Sequence, residues 1–266
     1  MYETTYHRPS SIDEAAALFA KGGDPKYLAG GHTLIPVMKV RLAAPSDVID
    51  LGRIKELIGI EATADALIIK AATTYYDITQ SADAKRAIPA IVHLTSVLGD
   101  PAVRYRGTIG GSLANNDPAA DYPAAVLALG ATLITNKRLI PAEEFFQGLF
   151  TTALADDEII TAVSFPIPAK AAYSKMRHPA SRFALTGVFV AQTRAGEIRV
   201  AATGASQSGV MRVPAIEAAL KANWSAAALD NVNISADGLM ADIHGSSEYR
   251  ANLIKVMAQR AVAEAG

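Results

Sequence analysis

Apolar residues recur along this chain in two periods, and the segments they mark alternate between helix and strand. Ser11-Ile12-Asp13-Glu14 stands ahead of Ala15-Ala16-Ala17-Leu18-Phe19-Ala20. A hydroxyl followed three residues later by a carboxylate predicts a capping box, and Gly22-Gly23 is expected to close that short helix in a left-handed conformation. Tyr27-Leu28-Ala29 and Val48-Ile49-Asp50-Leu51 then read as a strand pair interrupted by a loop and a helical turn. This first unit, 1–58, is a small α+β lobe.

Ala66-Leu67-Ile68-Ile69-Lys70-Ala71 opens a second unit, 59–170, followed by a helical Ile88-Pro89-Ala90-Ile91-Val92-His93-Leu94 and a glycine-rich loop. Its last strand runs from Ile159 to Phe165. Pro166, Pro168 and Ala169-Lys170-Ala171-Ala172 read as a linker, because closely spaced prolines neither extend a ladder nor sit inside a helix. In the third unit, 171–266, Phe183 to Thr193 and Ile198 to Gly204 flank Arg194-Ala195-Gly196-Glu197 as a hairpin with a glycine turn. Helices follow at Pro214 to Ala222 and Tyr249 to Ala263. The fold class is α+β, two lobes followed by a smaller C-terminal domain of antiparallel strands and then helices.

With 266 residues the chain suits two or three units, each able to bury a core. Lys plus Arg number 25 against 26 Asp plus Glu, so no long-range field is available to hold nucleic acid or an anionic membrane. Cysteine is absent, which excludes disulfides, thiolate-bound iron-sulfur clusters and cysteine-ligated zinc in this chain. The N-terminal residues lack the basic-then-apolar pattern of a signal peptide, and no apolar run reaches membrane-spanning length, so a cytoplasmic location is expected. Neither a fixed-period repeat nor a low-complexity tract stands out.

Two glycine pairs carry the candidate chemistry. One is Ala29-Gly30-Gly31-His32-Thr33; the other lies in Thr108-Ile109-Gly110-Gly111-Ser112-Leu113-Ala114-Asn115-Asn116-Asp117-Pro118-Ala119-Ala120-Asp121-Tyr122. Two such loops suit a chain that brings backbone N–H groups to one anionic ligand, and each alone is an ordinary turn signal. Neither completes G-x-G-x-x-G after a strand, and no G-x-x-x-x-G-K-[ST] occurs. Gly204-Ala205-Ser206-Gln207-Ser208-Gly209 falls one glycine short of a nucleophile elbow and reads as a hairpin-to-loop exit. His7, His32, His93, His178 and His244 are too scattered for helical metal-ligand spacing. Asp117 and Asp121, four apart, would share a helix face as an acid and base, a Mg²⁺ pair or acceptors for ligand hydroxyls. The plainer reading has Asp117 capping a helix begun by Pro118, with Asp121 one turn in and free to serve a ligand.

Taken together, Ala29-Gly30-Gly31-His32-Thr33-Leu34-Ile35-Pro36 and Thr108-Ile109-Gly110-Gly111-Ser112 resemble the two flavin-binding loops of molybdenum hydroxylase flavoproteins. These are the FAD-binding medium subunits of xanthine dehydrogenases and aerobic carbon monoxide dehydrogenases. Asn116 to Ala124 is similar to the family's continuation, and Gly245-Ser246-Ser247-Glu248-Tyr249-Arg250 to its C-terminal helix start. The resemblance implies a two-lobed FAD-binding domain of the PCMH / vanillyl-alcohol-oxidase type. It implies that Leu28 to Ile35 wrap the FAD pyrophosphate, with the Thr33 hydroxyl and glycine amides as donors, and that Thr108, Ile109, Gly110, Gly111 and Ser112 form the opposing clamp. Asp121 would accept from cofactor hydroxyls, Ile160 would lie near the flavin ring, and Lys175 would reach the cofactor. Phe183 stands where close carbon monoxide dehydrogenase relatives carry a tyrosine, so a stacking surface is kept and a hydroxyl lost. The benzoyl-CoA reductase branch, whose subunit carries a cysteine-bound cluster, is excluded.

The activity implied is that of an electron-exit module. A molybdenum-cofactor large subunit oxidises substrate, an iron-sulfur small subunit relays electrons, and FAD on this chain passes them to an acceptor such as NAD, quinone or O2. A stand-alone flavin oxidase and a non-catalytic nucleotide-binding module are the alternatives.

Overall fold

Ser11 caps the first helix as its spacing predicts. In the computed structural model, which describes residues 1–265, Ser11 Oγ accepts from the Glu14 N–H (3.2 Å). The Glu14 carboxylate turns back one residue further than a standard capping box, to the N–H and hydroxyl of Ser10 (2.7 and 2.8 Å). This helix, α1 (Ile12–Phe19), lies between β1 (Thr5–His7) and β2 (Pro25–Leu28), and α2 (Leu34–Lys39) lies between β2 and β3 (Asp47–Asp50). Such crossovers make the three strands parallel, in the order β1-β3-β2. Ala15, Ile49, Leu51, Ile54 and Leu57 fill the lobe's core, the last of them in a 3₁₀ turn, Lys55–Leu57.

Gly22 and Gly23 do not take the expected left-handed conformation. The N–H groups of Lys21 and Gly22 bond to the carbonyls of Leu18 and Phe19 (3.2 Å each), so the last turn tightens and satisfies those carbonyls without such a residue.

The second lobe carries β4 (Ile60–Ala62) and β5 (Ala66–Lys70), then a run of helices: α3 (Tyr75–Gln80), α4 (Ala82–Ala87), α5 (Pro89–Ser96), α6 (Pro101–Arg104), α7 (Ile109–Asn115) and α8 (Tyr122–Ala128). The chain returns through β6 (Thr132–Thr135), β7 (Leu139–Pro141), α9 (Ala142–Phe145), a small hairpin of β8 (Phe146–Gly148) and β9 (Thr151–Thr152), and β10 (Ile160–Pro166). The antiparallel sheet has the order β4-β5-β10-β6-β7. Nearly every residue of α8 is buried, so its apolar run belongs to a central helix rather than an amphipathic one.

β11 (Lys170–Arg177), β12 (Ala184–Gln192), β13 (Ile198–Ser206) and β14 (Gly209–Arg212) form the third sheet, antiparallel in chain order, followed by α10 (Pro214–Ala222) and α11 (Ser247–Ala265). Its two central strands, β12 and β13, are buried on both faces. Tyr173, Phe189, Ala191 and Ala201 join the core around α8, whereas Val188, Val190, Val200 and Ala202 join the core under α10 and α11. Two-sided burial explains why β12 and β13 read as near-continuous apolar runs.

The segment read as a linker is mostly strand. Pro166 ends β10, and only Ile167 to Ala169 intervene before β11, whose first residues pair with β12. Proline is tolerated there because it falls at the last position of its ladder. Gly204 to Gly209 likewise leads through a tight turn into β14, not out to a loop.

The two lobes meet at Gly30. A Cβ there would fall inside van der Waals contact of the Arg106 carbonyl oxygen and close to Gly107 Cα. Behind this contact the Tyr75 N–H bonds to the Gly107 carbonyl (2.9 Å), and Thr74 bridges Thr108. Gly30→Ala is therefore expected to lower unfolding stability by about 1–3 kcal/mol, as overpacking does. Gly23→Ala, at negative φ and with no atom nearer than Ser46 Oγ at 3.7 Å, should be neutral or stabilising. Denaturant unfolding of both variants checks the contrast.

Candidate functional site

A cleft of about 780 Å³ opens behind the Gly30 contact, with walls from segments of the three larger sheets and their connections. That volume lies within the range of small-molecule and cofactor sites. The chain segment between β2 and α2 forms one wall. Gly31 takes φ +77°, a left-handed conformation that glycine adopts without strain, and this reverses the chain so that α2 begins at Leu34. The backbone N–H groups of Gly30, Gly31, His32, Thr33 and Leu34 find no acceptor among the described residues. Thr33 makes no side-chain cap bond, so its hydroxyl is uncommitted too. A run of unpartnered N–H groups at the start of a helix is a site of positive potential.

The opposite wall differs from its expected role. Thr108 to Ser112 is not a loop: Thr108 is the N-cap of α7, and the glycines form the first helical turn. Its amides are already committed. The Ile109 N–H reaches the Thr73 carbonyl (3.4 Å), Gly110 the Ala71 carbonyl (2.9 Å), Gly111 the Thr108 hydroxyl (3.2 Å) and Ser112 the Thr108 carbonyl (3.1 Å). Glycine persists at 110 because a Cβ would meet Ala71 backbone, and at 111 because it would stand 3.3 Å from Ala29 Cβ and 3.0 Å from Thr108 Oγ1. This wall thus offers a surface free of side chains and the Ser112 hydroxyl, not a second set of amide donors.

Asp117 and Asp121 also part from expectation, since no helix contains both. Asn116 ends α7 at φ +44°, and the Asp117 carboxylate accepts from the Ala119 N–H (2.8 Å) to form a turn. Helix α8 starts after Asp121, whose side chain makes no cap bond because it points elsewhere. Asp121 Oδ1 accepts from the Tyr173 hydroxyl (2.5 Å) and lies 2.8 Å from Lys175 Nζ; all three side chains are buried. The ammonium sits off the hydrogen-bonding direction and retains unpartnered N–H groups, and Asp121 Oδ2 is buried with no donor. Burial raises the Asp121 carboxyl above its ordinary value, while the Lys175 ammonium opposes that shift.

Of the expected residues, Leu28, Ala29, Gly30, Gly31, His32, Thr33, Leu34, Thr108, Gly110, Gly111, Ser112, Asp121, Ile160 and Phe183 line the cleft together. Ile35 and Ile109 pack behind it, Ile109 fully buried, and Lys175 reaches it only through Asp121. Sequence reasoning missed Ala71, Tyr75, Leu98, Val103, Leu154, Glu158 and Arg182 on the lining. For Ala71 a signal existed in the small pair Ala71-Ala72 at the end of a strand, where another backbone approaches. Burial pushes the Tyr75 phenol up to about 12, so it faces the cleft as a neutral hydroxyl. Among the described residues no group of three or more His, Asp or Glu side chains is arranged to hold a metal ion.

Glu158 pins the segment that carries Leu154, Ile159 and Ile160 into the cleft. It accepts from both Arg138 Nε and Nη2 (3.0 Å each), from the Thr135 hydroxyl (2.7 Å) and from the Ala155 N–H (3.0 Å). Above all the Arg138 guanidinium lowers its carboxyl to about 2.

Comparison with known proteins gives a consistent result. The family described as "FAD binding domain in molybdopterin dehydrogenase" matches residues 2–168. The chain is 35% identical to the carbon monoxide dehydrogenase medium chain of Afipia carboxidovorans, over 98% of this chain and 96% of that one. It is 34% identical to the nicotine 6-hydroxylase medium subunit of Paenarthrobacter nicotinovorans, over 98% and 96%. Among solved structures, a chain of the Cu,Mo-CO dehydrogenase crystal structure in its cyanide-inactivated form superposes with a TM-score of 0.89 at 32% identity, covering 100% of this chain and 98% of that one.

The Glu158 contacts carry a pH dependence. A carboxyl lowered from 4.5 to about 2 stabilises the fold fully above pH 4.5, and that contribution is lost as pH falls from 4.5 through 2. Glu158→Gln should be less stable than wild type at pH 7, with the gap narrowing across this window; denaturant midpoints at pH 7, 4 and 2.5 check it.

Proposed function

The chain belongs to the family of FAD binding domains in molybdopterin dehydrogenases, and from that premise we propose that it is the electron-exit subunit of a multi-subunit molybdenum hydroxylase. FAD is its cofactor. In this reading electrons arrive from an iron-sulfur small subunit served by a molybdenum-cofactor large subunit, and leave to an acceptor such as NAD, quinone or O2. The absence of cysteine from the chain supports this division, since thiolate-held clusters must then sit on a partner. Residues 1–58 and 59–170 would hold the cofactor between them, and 171–266 would close the mouth.

The observation that carries the reading is the row of unpartnered amides from Gly30 to Leu34 across the cleft from the Cβ-free face of Gly111. Five N–H donors at the start of α2 suit a pyrophosphate, and the Thr33 hydroxyl adds a sixth. Asp121 Oδ2, buried and without a donor, suits a ribityl or ribose hydroxyl. Lys175 and Tyr173 hold that carboxylate in place from behind, so Lys175 serves the site by orienting Asp121. Ala71, Leu57 and Ile160 supply an apolar wall that keeps water from the ring, with Phe183 at the rim. When bound, FAD supplies one- and two-electron redox chemistry at its isoalloxazine, and the protein's part is to bind, orient and shield it.

Gly111→Val tests the assignment. A branched side chain there would project toward Ala29 and into the space between the walls, so the variant is expected to fold but to lose bound flavin after reconstitution with FAD. Absorbance of the desalted protein near 450 nm reads the result. Equal flavin content in wild type and variant would remove the site, wild type without flavin bands would remove the cofactor reading, and reduction by a small substrate without partner subunits would favour a stand-alone oxidase.

A further inference from the structure

The connection from β11 to β12, His178 to Phe183, forms part of the rim of the cleft. Ser181, Arg182 and Phe183 line it, and Phe183 is half exposed. Two backbone bonds close the loop, His178 N–H to the Phe183 carbonyl and Arg182 N–H to the His178 carbonyl (2.9 Å each). Arg182 has φ +63°, a conformation that a non-glycine residue keeps only where its surroundings over-determine it.

Those surroundings centre on one imidazole. His178 Nδ1 accepts from the N–H groups of Ala180 and Ser181 (3.2 Å each), and Nε2 lies 3.1 Å from His244 Nδ1. Because Nδ1 accepts, the ring proton belongs on Nε2, which donates to His244 Nδ1, and His244 in turn carries its own proton on Nε2. His244 is itself fixed. Its N–H donates to Asp242 Oδ1 (2.9 Å), and Asp242 Oδ2 receives Arg250 Nη2 (2.7 Å). Arg250 is buried at the start of α11 and donates to the carbonyls of Leu185 and Gly204 (2.7 and 2.6 Å). A continuous set of contacts therefore runs from α11 to the rim.

We propose, building on the FAD reading above, that His178 is a positioning residue for the bound cofactor: its ring fixes the β11–β12 loop and so sets Phe183 over the mouth of the cleft. His244, held by Asp242 and Arg250, is the anchor against which His178 is set. The feature is absent from the glycine loops and works from the third sheet.

The test uses the full chain with and without FAD, and reads two quantities. Tryptic cleavage at Arg182–Phe183 reports the loop alone, and release of FAD on dilution reports its action on the cofactor. His178→Ala removes the one acceptor that both the Ala180 and Ser181 amides donate to, and cleavage and release should each become about tenfold faster. His178→Asn places a side-chain oxygen to accept the same two amides as an Asx turn, so it should stay within about threefold of wild type. His244→Ala should fall between the two. An unchanged His178→Ala, or a His178→Asn as impaired as His178→Ala, overturns the proposal. Equal FAD release in all variants with the cleavage order intact overturns the link to the cofactor alone, whereas a wild type that retains no FAD overturns the functional reading on which that link rests.

Discussion

Everything at this site depends on the approach of two backbones that no side chain separates. Gly30 lies against the Arg106 carbonyl and Gly107, and this contact joins a parallel three-stranded lobe to an antiparallel five-stranded one. Close approach at one point leaves a cleft behind it, in the way that two convex bodies touching leave a groove. The first lobe meets this groove with the start of α2, and the second with the first turn of α7. One brings free donors; the other brings an absence of bulk.

That asymmetry has a physical origin in hydrogen-bond accounting. The amides of α7's first turn have partners within the second lobe, because the chain leaving β5 presents the Ala71 and Thr73 carbonyls and Thr108 supplies its hydroxyl and carbonyl. Nothing comparable reaches the chain after β2, which is itself the edge strand of its sheet, so five amides are left without a protein partner. N–H groups without protein partners at the start of a helix are left to solvent or to an anion, and an anion bound there would stabilise the folded chain. The third sheet completes the arrangement from behind: Tyr173 and Lys175 orient Asp121 at the cleft, and the Thr203 hydroxyl binds the carbonyls of Pro118 and Ala120 (3.0 and 2.7 Å) in the turn leading to it.

Much of this was legible in the chain before its folding was known, where local rules and tertiary demands agree. The cap at Ser11, the helix from Pro214 and the glycine-turn hairpin after Phe183 each rest on a signal contained within a few residues. The paired glycine segments were legible as one site because both occur in a recognisable context. Failures came where a distant partner decides. Gly110-Gly111 reads as a loop because glycine disfavours helix, but Ala71 needs the space that a Cβ would occupy. Asp121 reads as an acceptor one turn into a helix and free to serve a ligand, yet its protein partners lie more than fifty residues away on β11. That strand was itself hidden by two prolines and an alanine run which, locally, argue for a linker.

Hydrogen exchange of backbone amides, followed by mass spectrometry with and without FAD, tests the central claim most directly. The account predicts that FAD slows exchange in the segment holding Gly30 to Leu34, while the segment holding Ile109 to Ser112 exchanges slowly in both states because its amides already have partners. Strong new protection at Ile109 to Ser112 with none at Gly30 to Leu34, or no protection in either segment by FAD that is demonstrably bound, would contradict it.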